Sequence, residues 1–501
     1  MSDDLPASWA RVPLGVVVDA RYGEGFAMKD LTPVGYPVFG ANGQVGFFSR
    51  YTHEDAEVLV TCRGATCGTV NVSLPRSFIT SNSFVVLPRW STVLDKGFLR
   101  LALIAADHDS FTTGTAQPQI TLANFNPYEI KLPPINEQRR IVAKLEALQT
   151  RGRRAREALD AVPPLLEKLR QSILAAAFRG DLTKDWRAQQ KDLEPATELF
   201  KRIRTARRQK WECTELAKLK SKGKLPADDK WKSKYVEPAS VDDSDLPLLP
   251  DGWCWAAWGE VGFSQNGRAF PSSEYASQGV KLLRPGNLNV SGKLEWSEGN
   301  TRYMPPRWAA EFPEFVVGND ELLMNLTAQS LKDEFLGRVC LSGPGEECLL
   351  NQRLARLVPI GLPPSYWLYF FKSPGFRRYV DTLNTGSLIQ HMFTSQLELC
   401  AVPLMPAEEA KLLVETLGAR LAAVAAIAEL ATEQVQSLPT LDRALLAKAF
   451  RGELVPQDSN DEPAEAMLAR ARSANSSAPE NSIRQRRGRP RSSQRADQAN
   501  D

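Results

Sequence analysis

Apolar positions recur along this chain in two rhythms. From Ile141 the apolar or small residues run Ile141, Leu145, Leu148, Gly152, Ala155, Leu159, Val162, Leu166, Leu169 and Ile173, stepping by four and three. That spacing lays one stripe along an α-helix and a seam between two of them. Leu413, Leu417, Val424, Ile427, Leu438, Leu441 and Leu445 keep the same frame, with Arg420 and Gln434 interrupting it. Elsewhere the rhythm shortens. Runs such as EVLV (Glu57 to Val60), SFVVL (Ser83 to Leu87) and ELLMNL (Glu321 to Leu326) sit among Gly, Pro, Asn and aromatic residues. They predict compact, β-rich mixed α/β domains over 1–130 and 249–401.

The two helical stretches are copies. At an offset of 272 positions, AFRGDL (Ala177 to Leu182) meets AFRGEL (Ala449 to Leu454). The flanks stay in register without a gap: Thr113 to Thr115 meets Thr385 to Ser387, Leu132 and Pro134 meet Leu404 and Pro406, and Leu166, Leu169 and Leu174 meet Leu438, Leu441 and Leu446. A chance hexapeptide would not carry its flanks, so this is an internal duplication. Each copy opens on a proline-marked helix start, IKLPPINEQ or AVPLMPAEE, with acids in the first turn. The first helix is predicted over Asn136 to Ala161, about 39 Å long at 1.5 Å per residue. Pro163 and Pro164 are expected to bend or break it, and Pro439 to do the same in the second copy.

The openings LPASW (Leu5 to Trp9) and LPDGW (Leu249 to Trp253) correspond at an offset of 244. The order is therefore β-rich domain (1–130), helical segment (131–182), charged linker (183–248), β-rich domain (249–401), helical segment (402–455) and a tail (456–501) whose Ser, Ala, Asn and Arg content predicts disorder. The seam needs a partner, and the other copy can supply it. Two amphipathic hairpins packed on separate cores would show the same periodicity.

In this order the chain resembles the specificity subunit of Type I restriction-modification systems. The resemblance covers roughly 1–455 and rests on YPVFGANGQVGF (Tyr36 to Phe47), LNQRLARLVP (Leu350 to Pro359), the duplicated TG[TS] turns, LPPINEQRRIV (Leu132 to Val142) and the two AFRG[DE]L ends. The second copy departs from the pattern where Ala410 stands in place of the glutamine found at Gln138. The resemblance implies an α+β fold in which two target-recognition domains are held apart by two long helices packed as an antiparallel coiled coil, with an internal pseudo-twofold repeat. It implies a non-catalytic chain that reads a bipartite, asymmetric site on double-stranded DNA. Its implied partners are two methyltransferase subunits and restriction subunits, and S-adenosylmethionine, ATP and Mg belong to those partners, with no cofactor in this chain. Phe178, Arg179 and Gly180, with Phe450, Arg451 and Gly452, are the expected docking ends. A helix length near one turn of duplex, roughly 34 to 36 Å, suits an unread gap between two half-sites.

Base readout calls for Arg, Lys, Asn or Gln reaching base edges and for turns that let backbone approach phosphate. The candidates in the first domain are Asn42, Gln44, Arg63, Thr66, Arg76, Gln117 and Gln119. In the second they are Arg284, Asn287, Arg302, Asn325, Gln329, Lys332, Gln390 and His391. Asn82 and Asn351, beside strands, are read as turn-stabilising amides.

Charge and composition narrow the remaining choices. The net charge is only +3, yet thirteen Lys or Arg stand against four Asp or Glu between Leu199 and Lys234, and six arginines without an acid lie between Arg484 and Arg495. Such local excess attracts polyanions, and RGRP (Arg487 to Pro490) is similar to the core of a minor-groove AT-hook. The seven cysteines and three histidines lack metal-ligand spacing. GNLNVSGKL (Gly286 to Leu294) has five residues between its glycines where a phosphate loop has four, and NFNPYE (Asn124 to Glu129) has one proline where an amino-methyltransferase motif has two. No catalytic residue is assigned. The amino terminus MSDDLPASW is acidic, and no uninterrupted apolar run is long enough to span a membrane, so a cytoplasmic, membrane-free protein is expected. A coiled-coil scaffold that joins protein partners without reading DNA is the alternative.

Overall fold

The computed structural model describes residues 5–114, 117–224, 226, 228–328, 335–383 and 390–476. The longer helices are α1 (Lys96–Ala105), α2 (Ile135–Asp160), α3 (Val162–Phe178), α4 (Lys184–Gln189), α5 (Ala196–Ser221), α6 (Pro364–Phe371), α7 (Pro374–Thr382), α8 (Ala407–Ala449) and α9 (Ala464–Ser476). The pair Pro163 and Pro164 does end α2, and they become the opening turn of α3, where a missing N–H costs nothing. Pro439, by contrast, lies inside an unbroken α8, so of the expected bend or break the break does not occur. One proline removes one ladder bond, which 43 residues of helix absorb.

The chain folds as two compact units, one made of residues up to Asp160 together with the chain from Glu433 onward, the other of Ala161–Thr432. In the first unit, β1 (Ala10–Pro13) pairs antiparallel with β11 (Glu129–Leu132). A four-stranded sheet has the order β2 (Val18–Tyr22), β8 (Ser83–Pro88), β5 (Val58–Thr61), β6 (Val70–Val72). A three-stranded sheet has β3 (Tyr36–Gly40) between β4 (Gly43–Phe48) and the parallel β7 (Phe78–Ile79). A small hairpin joins β9 (Thr112–Thr113) to β10 (Gln119–Ile120).

The second unit repeats this plan. β12 (Cys254–Ala257) pairs with β23 (Ala401–Leu404), again placing the two strands at the domain's start and end side by side. The first sheet becomes β13 (Gly262–Asn266), β21 (Leu354–Pro359), β17 (Leu322–Asn325), β19 (Val339–Leu341). The second becomes β15 (Tyr303–Met304), β14 (Val280–Leu283), β20 (Cys348–Leu350), β16 (Val316–Val317), with β14 and β20 parallel. β18 (Thr327–Ala328) pairs antiparallel with β22 (Gln390–His391), two strands distant in sequence.

Each β-rich domain is closed by the chain that follows the other helical copy. In the first unit, Glu137 at the start of α2 is buried and accepts from Trp9 Nε1 at 3.0 Å and from Gln457 Nε2 at 2.5 Å. In the second, Glu409 at the start of α8 accepts from Trp253 Nε1 at 2.9 Å, from Thr183 Oγ1 at 2.6 Å and from Arg187 Nη1 at 2.6 Å. The AFRG glycines are fitted to these closures. Gly180 and Gly452 have φ of +81° and +73°, and a Cβ would fall 2.4 Å from Pro250 Cγ and 2.5 Å from Pro6 Cγ respectively. The departure at Ala410 leaves the helix start intact: Ala410 N donates to Pro406 O at 2.9 Å just as Gln138 N donates to Pro134 O at 2.9 Å.

The repeat runs further than the hexapeptide. Glu194-Pro195-Ala196 before α5 and Glu462-Pro463-Ala464 before α9 match at an offset of 268, and Ala196 N donates to Gly252 O at 2.7 Å as Ala464 N donates to Ser8 O at 3.0 Å. Arg202 then ties back to Glu194 at 2.8 Å and Arg470 to Glu462 at 2.7 Å. Leu199 and Ile203 bury into the second unit's core, and Met467, Leu468 and Ala471 into the first's. The disorder expected from 456 is thus wrong as far as 476. An apolar stripe on α9 buries against the domain and outweighs a polar average composition. Arg487 to Pro490 lie outside the described residues.

Burial along the seam is concentrated toward the helix starts and reaches Val424 in α8. Ile141, Leu145, Leu413 and Leu417 are inside, whereas Leu165, Leu169, Ile427, Leu430 and Leu441 are exposed.

Candidate nucleic-acid interface

Three distant segments meet at one edge of the first domain. The β3–β4 hairpin turns at Ala41, whose carbonyl accepts from Thr61 Oγ1 at 2.8 Å and Thr66 Oγ1 at 3.3 Å. These bonds hold the loop after β5 against the hairpin tip. Ile120 N then donates to Cys62 O at 3.0 Å, and Gly64 N to Pro118 O at 3.1 Å, which brings in the β9–β10 hairpin. Arg63 pairs with Gln119 in an isolated bridge. Asn42, Gln44, Arg63, Gln117 and Gln119 are thereby gathered; all but the half-buried Gln119 are exposed. Thr66 belongs to the same place but holds the hairpin.

Arg76 stands apart. It adopts φ 55° in the turn before β7 and bonds Glu54 Oε1 through Nε at 2.9 Å. That turn lies beside Tyr51 and Tyr36, at the end of β3 away from the tip. The neighbouring carboxylate raises the Arg76 pKa and occupies its Nε donor.

The second domain builds the same edge from other residues. Met392 N donates to Leu326 O at 3.0 Å, and Leu326 N to Arg353 O at 3.0 Å. In the first domain Ile120 N donates to Cys62 O and Cys62 N to Asn82 O, the latter at 2.9 Å. Leu326 therefore corresponds to Cys62, and the Thr327–His391 pair to the Arg63–Gln119 pair. His391 is exposed, with Nδ1 at 3.0 Å from Thr327 Oγ1. Gln390 is half-buried, and its Oε1 has no hydrogen-bond partner among the described residues. Arg284 follows β14 beside Asn351, whose N donates to Leu283 O at 3.3 Å.

Two candidates prove to be internal. Asn325 is fully buried, with Nδ2 donating to Thr327 O at 2.9 Å and Phe335 O at 2.8 Å, so it shapes the loop beneath the edge. Asn287 is fully buried too; it accepts from Arg284 N at 2.9 Å and donates to Glu295 O at 3.2 Å. A short amide that can both donate and accept closes such turns, and neither side chain can reach a base. Arg302 bonds the backbone of its own loop at Thr301 O, 2.7 Å. Gln329 and Lys332 lie outside the described residues.

Exposed Gln352 and Arg353 in the turn before β21, and exposed Asn82 in its counterpart, were not among the readout candidates. The run LNQRLARLVP carried a signal for the first two. Asn351 is a turn amide as expected, accepting from Arg353 N at 3.3 Å.

Of the expected docking residues, the phenylalanines face inward. Phe178 packs edge-on against Tyr366 and Phe370 at 5.6 and 5.4 Å, and Phe450 lies 5.3 Å from Phe98. Arg179 and Arg451 remain exposed, each paired two residues on, with Asp181 and Glu453 at 2.8 Å.

Comparison with known proteins places this architecture. Residues 6–155 match the family described as the Type I restriction modification DNA specificity domain. The chain is 28% identical over 247 residues to the EcoAI specificity subunit of Escherichia coli, covering 49% of this chain and 38% of that one. It is 24% identical over 188 residues to the EcoDI specificity subunit of Escherichia coli, covering 37% and 41%. The matched stretch is thus less than half the length of either. A longer match, 21% identical over 365 residues, links it to the MjaVIII specificity subunit of Methanocaldococcus jannaschii, covering 72% and 71%. Two solved chains share the fold at 20% identity and cover 90% of this one. One is from a study of complex assembly and conformational transition in the type I R-M system, with TM-score 0.57 and all of that chain covered. The other is the HsdS subunit of Thermoanaerobacter tengcongensis, with TM-score 0.54 and 98% covered.

Proposed function

We propose that this chain, which carries the DNA specificity domain of the Type I restriction-modification family, is the non-catalytic subunit that reads a bipartite, asymmetric site on double-stranded DNA. The observation that carries the reading is the matched edge. The same backbone hydrogen bonds place Arg63 and Gln119 in one unit where Thr327 and His391 stand in the other, with Asn42 and Gln44 beside the first pair and Arg353 and Gln390 beside the second. One framework with unlike side chains suits two unlike half-sites, since phosphate contacts position and base contacts specify.

The helices would set the unread gap, held together as an antiparallel coiled coil. α2 is about 39 Å long and α8 about 65 Å at 1.5 Å per residue. Exposed Leu165, Leu169, Ile427, Leu430 and Leu441 offer apolar surface to partner helices. Two methyltransferase subunits would dock there, with Arg179 and Arg451 as equivalent contacts, and restriction subunits would join them. S-adenosylmethionine, ATP and Mg would act on those partners. The complex would work in the cytoplasm; among the described residues no helix is long and apolar enough to cross a membrane.

Methylome sequencing of a host with and without the gene tests this reading. A bipartite methylated motif should vanish with the gene, and inserting four residues after Thr150 should lengthen its gap. A methylome unaltered by deletion would favour a protein scaffold instead.

A further inference from the structure

One tight turn recurs in both units with unlike side chains. In the first it joins β7 to β8 through Thr80, Ser81 and Asn82; in the second it joins β20 to β21 through Asn351, Gln352 and Arg353. Five backbone hydrogen bonds fix the two turns alike. Glu24 N donates to Ile79 O at 2.9 Å and Arg268 N to Leu350 O at 3.0 Å, while Ser81 N donates to Glu24 O and Gln352 N to Arg268 O, both at 2.8 Å. Gly23 N donates to Ser83 O at 3.1 Å and Gly267 N to Leu354 O at 2.9 Å; Ser83 N then reaches Thr80 O at 3.1 Å and Leu354 N reaches Asn351 O at 3.0 Å. The fifth bond comes from the edge itself, where Cys62 N donates to Asn82 O at 2.9 Å and Leu326 N to Arg353 O at 3.0 Å. A Cβ on Gly23 or Gly267 would collide with the carbonyl of Thr80 or Asn351, so each turn is pressed against the strand exit beside it.

Asn82 and Arg353 therefore occupy one position of a common frame, next to the Arg63–Gln119 and Thr327–His391 pairs, and both are exposed. Asn351, whose amide steadies its own turn, corresponds to Thr80 and not to Asn82. Phosphate is the same group in every half-site, so a backbone contact at this position would call for a cation in both units. The frame instead carries a neutral amide in one unit and a guanidinium in the other. Unlike groups on one frame suit unlike bases. A guanidinium fork donates twice, to O6 and N7 of guanine, whereas a carboxamide donates to N7 and accepts from the N6 amino group of adenine. We infer that Asn82 and Arg353 are equivalent specificity-determining positions, Asn82 reading an adenine in one half-site and Arg353 a guanine in the other. The inference rests on the DNA-reading function proposed above and adds the base taken at each position.

The test uses the full-length chain assembled in a host that carries the partner subunits, with methylome sequencing as the readout. Arg353→Ala should lower the preference for guanine at one position of one half-site about tenfold or more, and Asn82→Ala should do the same for adenine at one position of the other half. The gap and the remaining positions should not move. Arg353→Gln and Asn82→Ser are the second variants, used where an alanine chain fails to fold, and should relax the same two positions. The inference is overturned if a folded variant leaves the motif as in the parent, relaxes a position that specifies a different base, or lowers methylation at every site alike, as loss of a phosphate contact does. A parent without any bipartite motif would sink the DNA-reading function itself, and this inference with it.

Discussion

The two closures that seal the β-rich domains use the same positions and different chemistry. Trp9 and Trp253 each donate an indole N–H to a glutamate at the start of a long helix, Glu137 or Glu409. In the first unit the third member is Gln457; in the second, Thr183 and Arg187 share one carboxylate oxygen, and Arg187 stacks over Trp253 at 5.6 Å. Burial raises the Glu137 pKa, and the Gln457 and Trp9 hydrogen bonds only partly offset it. Glu409 has a guanidinium in contact, so its charge is matched. The first seal is thus a neutral-donor clasp around a costly carboxylate, and the second is a buried ion pair. A duplication can conserve geometry while the electrostatics of its two copies drift apart.

The largest expected difference follows from that contrast. Glu409→Gln strips the counter-charge from Arg187 and should destabilise the second unit by about 3–5 kcal/mol, the usual cost of breaking a buried pair. Glu137→Gln removes an unmatched charge and should cost the first unit about 1 kcal/mol. Hydrogen exchange over 196–203 and over 464–471 reads the two units separately, and equal losses would break the comparison. Next in size, Leu199→Ala and Met467→Ala should each cost about 2–4 kcal/mol, because each empties a buried site beneath a sealing helix. Similar values would confirm α5 and α9 as counterparts. Gly180→Ala and Gly452→Ala should each cost about 1–3 kcal/mol, from a left-handed backbone and the prolines a Cβ would meet.

A smaller effect is the pH dependence. The folded-state pKa of Glu137 is raised, so its favourable contribution is complete below the ordinary glutamate value near about 4.3 and is lost as pH rises through the raised value. Exchange rates in the first unit measured across that window should depend less on pH in Glu137→Gln. Asp461, lowered by Arg140, works the other way and loses its contribution only as the solution becomes more acid. Smallest in stability, Arg451→Ala should leave exchange unchanged while weakening methyltransferase binding in a pull-down, as should Arg179→Ala.

Much of the helical frame could be read from residues, because a stripe such as Ile141, Leu145, Leu413 and Leu417 is set by local spacing. The duplication of the sealing helix is hidden in the sequence for a local reason: four residues are missing between Gly452 and Pro463 relative to Gly180 and Pro195, so a fixed offset of 272 loses Glu462-Pro463-Ala464. Pro439 misled because its effect depends on the helix around it. At the candidate interface, residue type put forward Asn42, Gln44, Arg63 and Gln119 alike with Asn287 and Asn325. Those two differ only in being buried under their own turns. What gathers the edge is a set of long-range hydrogen bonds, Ala41 to Thr66 and Cys62 to Ile120, which no short window of sequence contains.

The central claim is that each unit reads its own half-site through its own edge. Replacing Asn42, Gln44, Arg63 and Gln119 together by alanine, and mapping methylated sites in a host that carries the partner subunits, tests it most directly. The expected result is a motif degenerate in one half, with the other half and the gap unchanged. A motif unchanged throughout, or one relaxed equally in both halves, would contradict the account.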